Sequence, residues 1–139
     1  MEDDAVRGLL REVRSIAVVG IKAGEADDAY RVPRYMQARG YRILPVSPKL
    51  DQVLGEACAS TLGEVGAAID LVNLFRASQH VPGHVDEILR LSPLPRGVWM
   101  QLGIADPASA RRLQDAGIHV VQDRCLKVEH GRLLGSPAE

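Results

Sequence analysis

The chain has 139 residues, of which 46% are apolar, 25% charged and 4% aromatic, and its seventeen basic and eighteen acidic side chains leave a formal charge of -1. Folding at that length buries roughly 70% of the surface the unfolded chain exposes, so a core forms without staples, and disordered, collagenous and disulfide-scaffold classes are excluded. The near-zero charge excludes the broad basic footprint of sequence-independent nucleic-acid binding, so any anion must be held locally.

No apolar run reaches the roughly 20 residues that span a bilayer, and the start Met1-Glu2-Asp3-Asp4 is acidic where a signal peptide is basic. The sequence therefore predicts a cytoplasmic protein with no membrane partner. Cys58 and Cys125 fit neither a secreted framework nor a zinc spacing, so reduced thiols are expected.

The elements follow in chain order. Val6, Leu9, Leu10 and Val13 at i, i+3, i+4 and i+7 predict an amphipathic helix. Residues 15–20 (SIAVVG) predict the first strand, and Val32, Tyr35 and Met36 a helix that stops near Gly40. Residues 42–46 (RILPV) predict the second strand. Thr61 with Glu64 is a capping-box pattern that predicts a helix start before the third strand, residues 70–75 (DLVNLF), whose edge Asp70 caps. Val81, Val85, Ile88 and Leu89 mark the next helix, and residues 97–102 (GVWMQL) the fourth strand, with Trp99 in the core. Asp106 before Pro107 is an N-cap with a proline set for the first turn, leading a helix that turns Leu113 and Ala116 to the sheet. Residues 118–122 (IHVVQ) predict the fifth strand, and residues 125–134 a last packing helix weakened by Gly131. Loose ends are expected only at the N-terminus and over residues 135–139.

Short apolar strands without alternation are what a sheet covered on both faces requires. The fold predicted is a Rossmann-like, doubly wound α/β domain of five parallel strands flanked by helices. It is one domain over residues 1–139, with its core in residues 15–133, and strands and helices alternate throughout.

In such a sheet, ligands bind outside the carboxyl ends of the strands, where strand order reverses. The first of these loops is Gly20, Ile21, Lys22, Ala23 and Gly24, a turn whose missing β-carbons let backbone N–H groups approach a phosphate at the start of a helix. It is neither G-x-G-x-x-G nor a Walker A loop. The second strand runs into Ser47, Pro48 and Lys49, where an NAD site would want Asp or Glu. A lysine there suits a ribose-borne phosphate, the 3′-phosphate of CoA or the 2′-phosphate of NADP. Phe75 and Arg76 set a ring beside a guanidinium, suited to adenine or pyrophosphate. Gln101, Leu102 and Gly103 offer an amide and a small residue after the fourth strand.

Catalytic and metal patterns are sparse. His80 and His84 are four apart, but the sequence places no third ligand, so no metal site is expected. Cys125, beside Arg124, is the one candidate nucleophile, and no nucleophile elbow is present. A phosphorylated receiver domain is excluded, because Gly20-Ile21 and Phe75-Arg76 stand where its acids would be.

At these loops the sequence resembles the CoA-binding domain family, the Rossmann-like module of succinyl-CoA synthetase α subunits and of small standalone bacterial proteins. The resemblance is carried by residues 16–20 (IAVVG), 40–49 (GYRILPVSPK) and 98–104 (VWMQLGI), and by Asp123-Arg124-Cys125 with Glu129-His130. Where standalone members commonly have Ser, Arg and Ser, this chain has Lys22, Asp27 and Ala29, so Asp27 would oppose a nearby phosphate while Lys22 supplies a cation. The resemblance implies binding of CoA or acyl-CoA. The Gly20–Ala23 turn would hold phosphate, Ser47, Pro48 and Lys49 would line the nucleotide end, and Phe75, Arg76, Gln101, Leu102 and Gly103 would complete the cleft. Catalysis by this chain is not expected for want of a catalytic constellation, and ligase activity by it alone is not expected because the synthetase's second domain has no counterpart in 139 residues. Two other readings stay open. One is a small NADP-dependent oxidoreductase, or an acyl-CoA-using enzyme with Cys125 as nucleophile. The other is an interaction subunit whose protein partner supplies a catalytic domain.

Overall fold

A computed structural model describes residues 1–135. The chain runs α1 (Asp3–Glu12), β1 (Ser15–Val19), α2 (Asp28–Ala38), β2 (Arg42–Val46), β3 (Gln52–Val53), β4 (Glu56–Ala57), β5 (Leu71–Leu74), α3 (Val81–Leu89), β6 (Gly97–Met100), α4 (Pro107–Asp115), β7 (His119–Val121) and α5 (Leu126–Leu134). Strands β2, β1, β5, β6 and β7 form one parallel sheet in that order, and β3 pairs with β4 as a separate antiparallel hairpin. This is the expected Rossmann-like α/β domain. The chain moves from β1 outward to β2 and returns to the other side of β1 at β5, so strand order reverses between the carboxyl ends of β1 and β5.

Alternate residues of each strand enter opposite layers. Ile16, Val18, Ile43, Leu71, Trp99 and Val121 pack under α1, α2 and α5 with Val6, Leu10, Met36 and Leu126. Ala17, Val19, Leu44, Val72, Leu74, Val98 and Met100 face α3 and α4 with Val85, Ile88, Ala110 and Leu113. Trp99 is fully buried, and its indole N–H donates to the Arg124 carbonyl at 2.8 Å. Asp70 precedes β5 and accepts from the backbone N–H groups of Arg14 and Ser15, fixing the entry to β1. Asp106 caps α4, accepting from the Ser109 N–H.

Four expectations change. The capping-box pattern at Thr61 starts only a three-residue 3-10 turn, Leu62–Glu64. Only Leu62 of that turn is buried, and no apolar stripe continues past Gly66, so a longer helix would have nothing to pack. The link from β2 to β5 therefore has no α-helix, and helices do not follow every strand. In α4 the sheet-facing residues are Ser109, Ala110 and Leu113, while Ala116 is exposed at the C-cap. The N-terminus is tied down rather than loose. Arg132 bridges Asp3 at 2.9 Å, holding the Asp3 carboxyl below its usual pKa, and Arg124 donates to the Met1 carbonyl. Gly135 caps α5, and residues 136–139 of the expected loose tail lie outside the described residues.

Helix α5 is locked to α2 by His130. This ring is buried, shares a 3.1 Å hydrogen bond through Nδ1 with the Tyr35 hydroxyl, and stands edge-on to Tyr35 and Tyr41. Burial, with Arg39 adding repulsion, holds its pKa below the usual imidazole value. A depressed folded-state pKa means the unfolded chain takes up the proton first, so this contribution is fully present above about pH 6.5 and is lost as pH falls toward the folded-state value. The urea midpoint is expected to drop between pH 7 and pH 5 more steeply in the wild type than in His130→Gln. Equal slopes would contradict the assignment.

Candidate functional site

The turn after β1 is shaped by its neighbours before it meets any ligand. Gly20 has φ +84°, donates its N–H to the Val46 carbonyl at 3.0 Å, and leaves no room for a side chain, since a Cβ would lie 2.5 Å from the Phe75 carbonyl oxygen. Glycine is thus required here by the passage of β5's exit, a steric reason additional to the anion approach expected from sequence. Ile21 is buried and anchors the turn. Lys22 donates its backbone N–H to Ala29, and the reason lies one helical turn on. Pro33 has no N–H for the carbonyl four residues back, so that carbonyl is free to accept from the loop at 3.2 Å. The N–H groups of Gly20 and Lys22 are thus taken by the protein. Those of Ile21, Ala23 and Gly24 have no acceptor among the described residues.

Ser47 follows β2, buried, with its N–H on the Ala59 carbonyl and its hydroxyl accepting from the Lys49 N–H at 3.1 Å. That bond folds Pro48 and Lys49 into a turn facing the Gly20 loop. Both Pro48 and Lys49 are exposed. Residues Gly20 to Ala23, Ser47 to Lys49, Phe75 and Arg76 all line one cleft of about 410 Å³. Ser60 and Thr61 line it as well, and sequence reasoning missed them. The only signal was the Thr61 cap pattern, which the structure turns into a three-residue 3-10 turn.

The cleft's charge is unbalanced in a specific way. Among the described residues, Lys22, Lys49 and Arg76 have no hydrogen-bonding or ion-pair partner for their charged ends, and Arg76 Nε is buried with no acceptor. Two carboxylates share the cleft. Glu87 lies 2.8 Å from His84 Nδ1, and Asp27 stands at the N-cap of α2 without capping it. The arrangement suits a polyanion held by three cations and free amides, with Asp27 limiting how close it comes to α2.

A second cleft, of about 760 Å³, adjoins the first and shares Lys22, Asp27, Phe75 and Arg76 with it. Gln101, Leu102 and Cys125 line this one. Gly103 lines neither. It has φ +85° and donates its N–H to Asp123 Oδ1 at 2.7 Å, so it shapes the β6 exit instead. The structure therefore divides the expected site: nine of the twelve expected residues meet at the first cleft, two at the second, and one stands outside both. Lys127 and Val128, also on the second cleft, were not foreseen, because their segment reads from sequence only as packing.

His80 ends a 3-10 turn and His84 lies within α3, and no group of three His, Cys, Asp or Glu side chains suited to a metal is found among the described residues. Cys125 is the partly buried N-cap of α5, and Cys58 is partly buried too, its thiol pKa pushed up by burial and by Asp51. No described helix is long and apolar enough to cross a membrane.

A family model described as a CoA binding domain matches residues 14–131. The uncharacterized protein YneT of Bacillus subtilis is 35% identical over 126 residues, covering 90% of this chain and 91% of YneT. A solved protein of Thermus thermophilus, cell-free ID.343, superposes with a TM-score of 0.90 at 38% identity, over 96% of this chain and 99% of its own. A hypothetical protein from Pyrococcus horikoshii OT3 gives 0.91 at 30% identity, over 97% and 94%. A dinucleotide-forming acetyl-coenzyme A synthetase of Ca. Korarchaeum cryptofilum, solved with phosphate and ADP, shares the fold at a TM-score of 0.70 and 18% identity. The match covers 86% of this chain and 27% of that longer one.

Proposed function

The chain belongs to the CoA-binding domain family, and from that premise we propose that it is a cytoplasmic module that binds coenzyme A or an acyl-CoA across the carboxyl ends of β1, β2 and β5. One observation carries the reading: three cations without partners, Lys22, Lys49 and Arg76, surround a turn whose Ile21, Ala23 and Gly24 amides are unclaimed. CoA is an anion of matching layout, with a diphosphate in its middle and a 3′-phosphate on its ribose. In this reading the diphosphate meets the turn and Arg76, the adenosine end lies along Ser47, Pro48 and Lys49, and Lys49 faces the 3′-phosphate. Charge-assisted hydrogen bonds of this type contribute about 1.5–3 kcal/mol each, so two or three of them with apolar burial reach the roughly 8 kcal/mol of micromolar binding.

The same reading leaves chemistry on the acyl group to a partner protein. Neither thiol has a histidine hydrogen-bonded to it among the described residues. His84 is engaged by Glu87, and His130 by Tyr35. The Lys49 assignment is tested by calorimetry with CoA and dephospho-CoA. Lys49 is exposed, so solvent limits its effect, and CoA is expected to bind about three- to tenfold more tightly than dephospho-CoA. In Lys49→Ala the two ligands are expected to bind alike. Equal affinities in the wild type would refute the assignment.

A further inference from the structure

The second cleft carries groups that a nucleotide and diphosphate do not use. Gln101 is 4% exposed and lines it. Chemistry fixes the direction of its amide. The Leu126 backbone N–H can only donate, so it is the Gln101 oxygen that faces it at 3.0 Å. The same oxygen accepts at 3.3 Å from Asn73 Nδ2, which is itself oriented by the Trp99 carbonyl at 3.3 Å. The NH2 group of Gln101 is thereby left to the cleft, with no acceptor among the described residues. The residue is almost wholly buried but this NH2 is not among the buried unpartnered atoms, so it opens on the cleft, where an acceptor arriving with a ligand can take the place of water.

The rim is apolar. Among the described residues four large apolar side chains are exposed, and two of them, Leu102 at 70% and Val128 at 61%, stand on this cleft beside half-buried Ile104. Lone exposed apolar residues need no explanation, but here two stand on the same cleft as this donor, and that cleft shares four lining residues with the first.

From this we infer that the second cleft is an acyl pocket: the chain takes CoA as its thioester with a short aliphatic acid. The thioester carbonyl accepts from Gln101 Nε2, and the hydrocarbon lies against Leu102, Ile104 and Val128. This rests on the CoA reading above and adds the class of cargo. A ligand ending at the free thiol would leave the rim in water.

The test is calorimetry with CoA, butyryl-CoA and S-butyl-CoA, a thioether with the same hydrocarbon chain and no carbonyl. Butyryl-CoA is expected to bind about tenfold more tightly than CoA, with S-butyl-CoA between them. Gln101→Glu keeps an acceptor for Leu126 and removes the donor, and is expected to bind butyryl-CoA no better than S-butyl-CoA. Leu102→Ser, at an exposed site that leaves the core intact, is expected to narrow the gap between S-butyl-CoA and CoA. Equal binding of CoA and butyryl-CoA by the wild type would overturn the acyl pocket and leave the CoA reading standing. Equal binding of butyryl-CoA and S-butyl-CoA would overturn the carbonyl contact, and no heat with any of the three would overturn both readings.

Discussion

Gly20→Ala is expected to lose about 2–6 kcal/mol of folding stability. The new methyl would sit 2.5 Å from the Phe75 carbonyl and 3.2 Å from Arg76 Cδ, on a backbone at φ +84°. A backbone oxygen cannot swing aside as a side chain can. A non-glycine residue in a sparsely populated region costs about 1–3 kcal/mol, and overpacking typically about 1–3 more. Against the roughly 5–15 kcal/mol that holds a domain together, that is a large fraction. Gly24→Ala is the control four residues along the same turn. A Cβ there meets only Asp27 Oδ2 at an ordinary 3.8 Å, so its stability is expected to stay within about 0.5 kcal/mol of the wild type. Urea unfolding of both variants checks the pair, and a Gly20→Ala protein as stable as Gly24→Ala would contradict the close approach of β1 and β5.

Arg76→Ala is expected to weaken CoA binding about ten- to a hundredfold without loss of folding stability. Arg76 lines both clefts, has no ion-pair partner among the described residues, and keeps Nε buried without an acceptor. Removing it therefore deletes no hydrogen bond or ion pair among the described residues, only the packing of its stem beside Gly20, and takes away an unsatisfied donor. What it removes is one charge-assisted bond to phosphate, about 1.5–3 kcal/mol. Arg76→Lys keeps the charge and loses the two-pronged geometry, so it is expected to fall between the two. Affinity by calorimetry and the urea midpoint separate the two effects. Unchanged affinity would remove Arg76 from the site, and a large loss of stability would make it a structural residue.

The five parallel strands were legible because each lies in a run of five or six mostly apolar residues between turn residues, as burial on both faces requires. The predicted ends overran at β1, β5, β6 and β7, where Gly20, Phe75, Gln101-Leu102 and Gln122 follow the last strand residue. That the Gly20 turn and Lys49 stand at one cleft was legible from their place after β1 and β2. Three features were not. The β3–β4 hairpin has two-residue strands, too short for any periodicity. The one-turn element after Thr61 begins like a helix, and only the lack of a following apolar stripe ends it. The engagement of Lys22 by Ala29 depends on Pro33 releasing a carbonyl, a tertiary consequence that no local pattern announces. For the same reason Gln101 was legible as an amide near the edge, while the division of the edge into two clefts was not.

Polyanion capture by the turn after β1 is read residue by residue in an amide NMR titration of this chain with CoA. Saturable shifts are expected, largest at Ile21, Ala23 and Gly24, extending to Lys49 and Arg76 and sparing the β7 edge. Shifts centred elsewhere, or none at millimolar CoA, would contradict that capture.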